Sequence, residues 1–214
     1  MLTAGLLLFA LQGAADDAAA EARAALIEAE SRVQAVVACT GTREDPAVDA
    51  LRNRQAGLRE EAIGLLPVIE PGAIDGDPPA RCPRGDPDER LRLATTAVDR
   101  LNAASARRRE AMRGLWVGPL RLCGSAVEEI GEGTSETGMR QVVARFSPAM
   151  AAVFAEETAR RVTQRLAIVL DGRLLSAPTV NEPILGGVVV IAGGDPLEAS
   201  GDELRAAAAR PCGD

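Results

Sequence analysis

RLAIVLDGRLLSAPTVNEPILGG, residues 165–187, is the stretch on which the reading of the fold turns. Leu166-Ala167-Ile168-Val169-Leu170 is an unbroken apolar run of strand length, as expected of a central strand covered on both faces. Asp171-Gly172 follows it. A type I′ turn needs positive φ at both central residues, so this dipeptide predicts a hairpin whose return strand is Arg173 to Ala177. From Ser176 to Gly187 the chain makes an irregular excursion, with Pro178, Pro183, Gly186 and Gly187 supplying two sharp reversals. Val188 to Ile191 reads as the next buried strand.

Working outward, Leu115-Trp116-Val117 and Leu120-Arg121-Leu122 flank Gly118-Pro119 as strand material. Trp116, the one Trp, is expected to anchor a core or a domain interface. Glu132 to Gly138 reads as a polar, Gly-rich loop, and Gln141 to Phe146 alternates weakly as a strand. Ser147-Pro148 is an N-cap with Pro at the first helical position. The helix it opens, about 148–163, is expected to bury Met150, Val153, Phe154, Thr158 and Val162. Glu156 with Arg160 and Glu157 with Arg161 lie acid-before-base on its other, exposed face. A last helix from Asp195 to Ala209 packs Leu197 and Leu204 on the sheet. Residues 114–214 therefore read as α+β, helices on one face of a mainly antiparallel sheet.

Residues 16–113 read as helical. Ala22, Leu26, Ala29, Val33 and Val36 step by threes and fours, a coiled-coil-like seam. After a turn at 39–44, Asp45-Pro46 caps a second helix with the seam Val48, Leu51, Gln55, Leu58, Ala62 and Leu65. Asp86-Pro87 caps a third, with Leu91, Ala94, Val98, Leu101 and Met112. Five prolines and three glycines between Pro67 and Gly85 make a long surface loop. Short, Ala-rich seams fit three helices packed antiparallel. Arg107-Arg108-Arg109 reads as a solvated face where the third helix leaves the bundle.

Composition narrows the chemistry. All 24 basic residues are Arg and there is no His, which removes imidazole relays, imidazole metal sites and His-dependent triads. A net charge of −7 argues against nucleic acid as a partner. Leu2 to Leu11, followed by Gly13-Ala14-Ala15, resembles a secretory leader cleaved after Ala15, although no Lys or Arg precedes the apolar run. Past residue 15 no run approaches the roughly 20 apolar residues of a membrane helix. In an exported chain Cys39, Cys82, Cys123 and Cys212 allow three pairings. The economical one is Cys39–Cys82 with Cys123–Cys212. Free buried thiols are the alternative in a reducing compartment, and a zinc site lacks both C-x-x-C spacing and His.

Segment 146–194 closely resembles the head subdomain of the first periplasmic domain of SecD, the accessory subunit of the Sec export machinery. Arg165, Leu166, Ala167, Ile168, Asp171, Gly172, Ser176, Ala177, Pro178, Glu182, Pro183, Gly186 and Gly187 fit that family's R-L-A-I-V-L-D-G hairpin and S-A-P-x-V-x-E-P-I-x-G-G loop. The resemblance implies the fold and a periplasmic location more firmly than a function. Neither SecD's membrane helices with their proton-coupling acid nor its base subdomain has a counterpart in these 214 residues. By carry-over, Ser176, Pro178, Asn181, Glu182, Pro183, Gly186 and Gly187 are the candidate contacts to an extended polypeptide or an envelope protein. The expected organisation is a leader at 1–15, a helical region at 16–113 and a head-like domain at 114–214. The expected class is a non-catalytic binding module without cofactor or metal; the alternative is an assembly protein that oligomerises through its helical half. An enzyme using Glu128, Glu129, Asp171 and Glu182 alone has no local pattern behind it.

Overall fold

The computed structural model describes residues 3–40, 45–66, 68–69, 82, 85–192 and 199–212. Helix α1 (Thr3–Thr40) runs without a break through the expected leader boundary. Helices α2 (Pro46–Gly64) and α3 (Pro87–Ala111) begin where their caps predict: the Asp45 carboxylate accepts from the Ala47 and Val48 amides, and that of Asp86 from the Asp88 amide. The three seams meet in one core of Leu26, Ala29, Val33, Val36, Leu51, Ala94, Val98 and Leu101.

The direction of the helices corrects the sequence reading. Arg100 meets Glu28 and Arg107 meets Glu21, so α3 is antiparallel to α1. Arg54 meets Asp99 and Arg109 meets Glu61, so α2 and α3 run parallel. The chain must therefore return along α2, whose 19 residues span roughly 28 Å, before α3 begins. A segment as long as 67–85 permits that, whereas short loops would have forced the antiparallel arrangement. The expected loop there lies outside the described residues, apart from strand β1 (Val68–Ile69), Cys82 and Gly85. A disulfide joins Cys82, near its end, to Cys39 at the far end of α1, and a second joins Cys123 to Cys212.

The α+β half contains β2 (Leu115–Val117), β3 (Leu120–Leu122), β4 (Val127–Thr134), β5 (Arg140–Phe146), α4 (Pro148–Ala159), β6 (Arg165–Leu166), β7 (Ile168–Leu170), β8 (Arg173–Ser176), β9 (Val188–Ala192) and α5 (Gly201–Ala208). Its strands form two antiparallel sheets rather than one, in the orders β3-β2-β7-β8 and β4-β5-β9, and β6 pairs with β1. The apolar run 166–170 is buried throughout, as expected of a central strand. Leu166, Ile168 and Leu170 enter the core between the two sheets. Ala167 and Val169 point the other way, into a cluster with Ala15, Leu65, Met112 and Trp116 where the helices meet the sheet. Trp116 is thus an anchor at that junction, its indole donating to the Arg113 carbonyl at 3.0 Å.

Arg108 corrects the solvated-face reading. It is only 2% exposed, and its guanidinium donates to the Leu65 carbonyl at 2.9 Å and the Ala15 carbonyl at 2.5 Å. Its neighbours Arg107 and Arg109 are held by Glu21 and Glu61. Burial pulls the Arg108 group down to about 10, with Asp16 opposing, so it stays charged at neutral pH.

Further corrections follow from which face each element buries. Phe154 and Thr158 are buried on α4, but Val153 and Val162 are exposed, and the helix ends at Ala159, short of Val162. Glu157 is buried rather than on a solvated face, and Arg161 follows it inward. Glu132 to Thr134 belong to β4, whose polar outer residues hide its strand character from an apolar pattern. The last helix starts at Gly201, where Ser200 and Glu203 form a capping box, and Leu204 packs as expected; Leu197 lies outside the described residues.

Asp171 and Gly172 have φ of 48° and 75°, as the hairpin requires. A Cβ on Gly172 would also lie 2.8 Å from the Arg109 carbonyl oxygen. Gly172→Val is expected to destabilise the protein by about 2 kcal/mol or more, from strain at positive φ and this backbone clash. A urea titration checks it, and an unchanged midpoint would contradict the hairpin geometry.

Candidate functional site

The loop between β8 and β9 divides into a tethered frame and a free tip. On the incoming side the Arg165 side chain donates to the Ala177 carbonyl at 2.9 Å and the Leu166 amide to the Pro178 carbonyl at 3.0 Å. Val180 is buried and exchanges backbone hydrogen bonds with Thr163 and Gln164. On the outgoing side Gly187 has φ of 59°, and its carbonyl accepts from the Phe146 amide at 2.8 Å. A Cβ there would overlap that of Ala151, so only glycine fits between the loop and α4.

Thr158 is the fastener in the middle. Its hydroxyl donates to the Phe154 carbonyl at 2.8 Å within α4 and accepts the Ile184 amide at 3.0 Å from the loop. Asn181, Glu182 and Pro183 project to solvent between these tethers, and so do Leu185 and Gly186. Leu185 is 78% exposed, an isolated branched side chain held out by a braced backbone.

The structure thus separates the candidate contacts. Asn181, Glu182, Pro183 and Gly186 share the free tip, and Pro178 is exposed at its base. Half-buried Ser176 closes the ladder of β8 opposite Ile168, and Gly187 is a packing glycine. Sequence reading missed Leu185 and Thr158. In P-I-L-G-G the exposed Leu is indistinguishable by type from the half-buried Ile before it, and the pattern shows Thr158 only as part of a buried stripe.

Of the acids considered for chemistry, Glu128, Glu129, Asp171 and Glu182, only Glu182 lies at this tip. Asp171 is engaged at the hairpin: one oxygen accepts from the Gly114 amide at 2.8 Å, and Arg210 grips both oxygens. Burial pushes its carboxyl up, but these bonds outweigh it and hold it below its ordinary range. Glu129 faces Arg145. Glu132 accepts the Gly201 amide at 2.6 Å, and this bond, with Arg140, holds its carboxyl low. These pairs fasten β4, the hairpin and the C-terminal segment together. Among the described residues no cluster of acids and cysteines has the arrangement of a metal site.

This braced loop lies in a segment with recognisable relatives. Residues 104–205 match the SecDF P1 head subdomain. The Thermus thermophilus protein translocase subunit SecDF is 39% identical over 77 residues, covering 36% of this chain and 10% of its own. Rickettsia bellii SecD is 48% identical over 50 residues, covering 23% of this chain and 10% of its own. A solved SecDF, described as a membrane component that enhances protein export, shares 31% identity over 42% of this chain and 40% of its own, with a TM-score of 0.38. The chain spans about a tenth of the length of those two curated relatives. Helices α1 and α2 lie outside the matched head segment. No described helix is long and apolar enough to cross a membrane.

Two measurements test this geometry. Thr158→Val keeps the shape but leaves the Ile184 amide unsatisfied, so stability is expected to fall by about 1–2 kcal/mol. Hydrogen exchange should speed up at Ile184; unchanged exchange there would remove the fastener. Because Asp171 and Glu132 titrate lower folded than unfolded, their contribution is full above the ordinary carboxylate range, near about 4, and is lost as pH falls through the lowered values. Exchange at residues 201–210 should therefore accelerate in acid before the buried central strand responds, and simultaneous acceleration would contradict this.

Proposed function

We propose that this protein is a non-catalytic binding module of the cell envelope, related to protein export, whose head-like half holds extended polypeptide at the loop tip 181–186. The observation that carries the reading is Leu185. Solvating a whole leucine is unfavourable by about 2 kcal/mol relative to burial, and here the backbone is braced on both sides so that the side chain stays out. An apolar contact beside the polar groups of Asn181 and Glu182, on a rigid support, suits recognition of an unfolded chain better than catalysis.

Relatives named as translocase subunits support the export context and, through it, the reading of a periplasmic location. The two disulfides agree with an oxidising compartment. Oligomerisation through the helical seams has less to stand on, because those seams are consumed within the chain.

The test is binding of a reduced, alkylated and permanently unfolded polypeptide, followed by fluorescence anisotropy. Leu185→Asp is expected to weaken binding about tenfold, equivalent to about 1.4 kcal/mol, with an unchanged melting temperature. Equal binding by the variant would remove the loop tip from the site.

A further inference from the structure

Among the described residues, strand β9 is the edge of its sheet, with no ladder partner on its outer side. The Phe146 amide donates to the Gly187 carbonyl, and the register with β5 continues without a shift through Ala144↔Val189 and Val142↔Ile191. Antiparallel pairs alternate, so Val189 and Ile191 turn their amides and carbonyls toward β5, while Val188 and Val190 turn theirs away. No described residue supplies a partner to those outward groups. β8 comes close to β9 but exchanges no ladder bond with it.

Edge strands are ordinarily blunted by charge, proline, a bulge or a covering element. Val188-Val189-Val190-Ile191-Ala192 has neither charge nor proline, and its pairing is regular. The opposite edge of the same sheet is blunted: on β4, Arg205 donates to the Ile130 carbonyl and Glu132 accepts from Gly201, both from α5. On β9, Val190 is instead 48% exposed, on the solvent face beside Val143. The expected buried strand 188–191 is thus buried at Val189 and Ile191 only.

We propose that β9 is a strand-addition site: an extended, apolar, non-acidic segment of an unfolded polypeptide pairs with the outward amides and carbonyls of Val188 and Val190. This rests on the polypeptide-binding reading and specifies how such a chain is held. The occupant is another polypeptide rather than a second copy, for two reasons. Five strand residues span only about 17 Å, too little for the roughly 1,200 Å² of a stable dimer interface. Two copies would also each bring a net charge of −7 to the contact. A short edge recognised through the backbone suits transient binding that is tolerant of sequence.

The experiment uses the full chain and a labelled soluble peptide that alternates Val and Thr between terminal lysines. Val190→Pro removes an amide that points away from β5, so the ladder is retained, while the incoming strand loses a donor and meets the ring. Binding should weaken tenfold or more with an unchanged melting temperature. Should that variant fold poorly, Val190→Lys places a charge on the exposed edge and should weaken binding to the same extent. With the unmodified protein, methylating every backbone nitrogen of the peptide should abolish binding. Equal binding by the Val190 variants overturns strand addition; if Leu185→Asp still weakens binding in that case, the polypeptide reading stands without it. Absence of binding to the unmodified protein overturns both. Sedimentation showing a dimer that Val190→Pro dissolves would overturn the choice of occupant.

Discussion

The α+β half and its junction with the helices are referred to one five-residue run, shared between β6 and β7, with two buried faces. Leu166, Ile168 and Leu170 close the core between the sheets, while Ala167 and Val169 close the junction with the helices. A strand exposed on one face would need only alternate apolar residues; burial on both requires the continuous run seen here. The hairpin turn, the tethered loop and β6's pairing with β1 all extend from its two ends. The loop tip and the β9 edge therefore sit on a rigid reference, the usual condition for a surface segment to recognise something.

The features legible in the sequence were those with local causes. Three Asp/Ser-Pro caps, the Asp-Gly turn and the helical seams each follow from the conformational preferences of a few adjacent residues, and each appears where it was read. Features fixed by distant partners were not legible. The parallel course of α2 and α3 depends on the path of a long connection, and the burial of Arg108 and Glu157 depends on what happens to face them. Charge alone predicted exposure for both; the opposite holds where a carbonyl or guanidinium waits inside.

The candidate site divides the same way. Its glycines and prolines are recognisable because backbone geometry demands them, and the structure shows Gly187 serving packing rather than contact. The exposed residues Leu185 and Val190 are apolar and are masked by neighbours of the same type. An exposed apolar residue has no compositional signature. It becomes visible only once the backbone around it is known to be held.

Arg108 ties the amino-terminal segment to this arrangement. A buried guanidinium needs acceptors, and two main-chain carbonyls, one within α1 and one just past the end of α2, provide them. The one from Ala15 stands at the very bond where the leader was expected to end. A chain beginning at Asp16 would lack that carbonyl and the Ala15 methyl packed against Trp116, leaving a buried donor unsatisfied at a cost of about 1–3 kcal/mol. Water or the Asp16 carboxylate would then have to fill the position, and the junction between helices and sheet would loosen at the cluster of Leu65, Met112 and Val169 rather than in either core. How the amino terminus is processed thus bears directly on how firmly the two halves are joined.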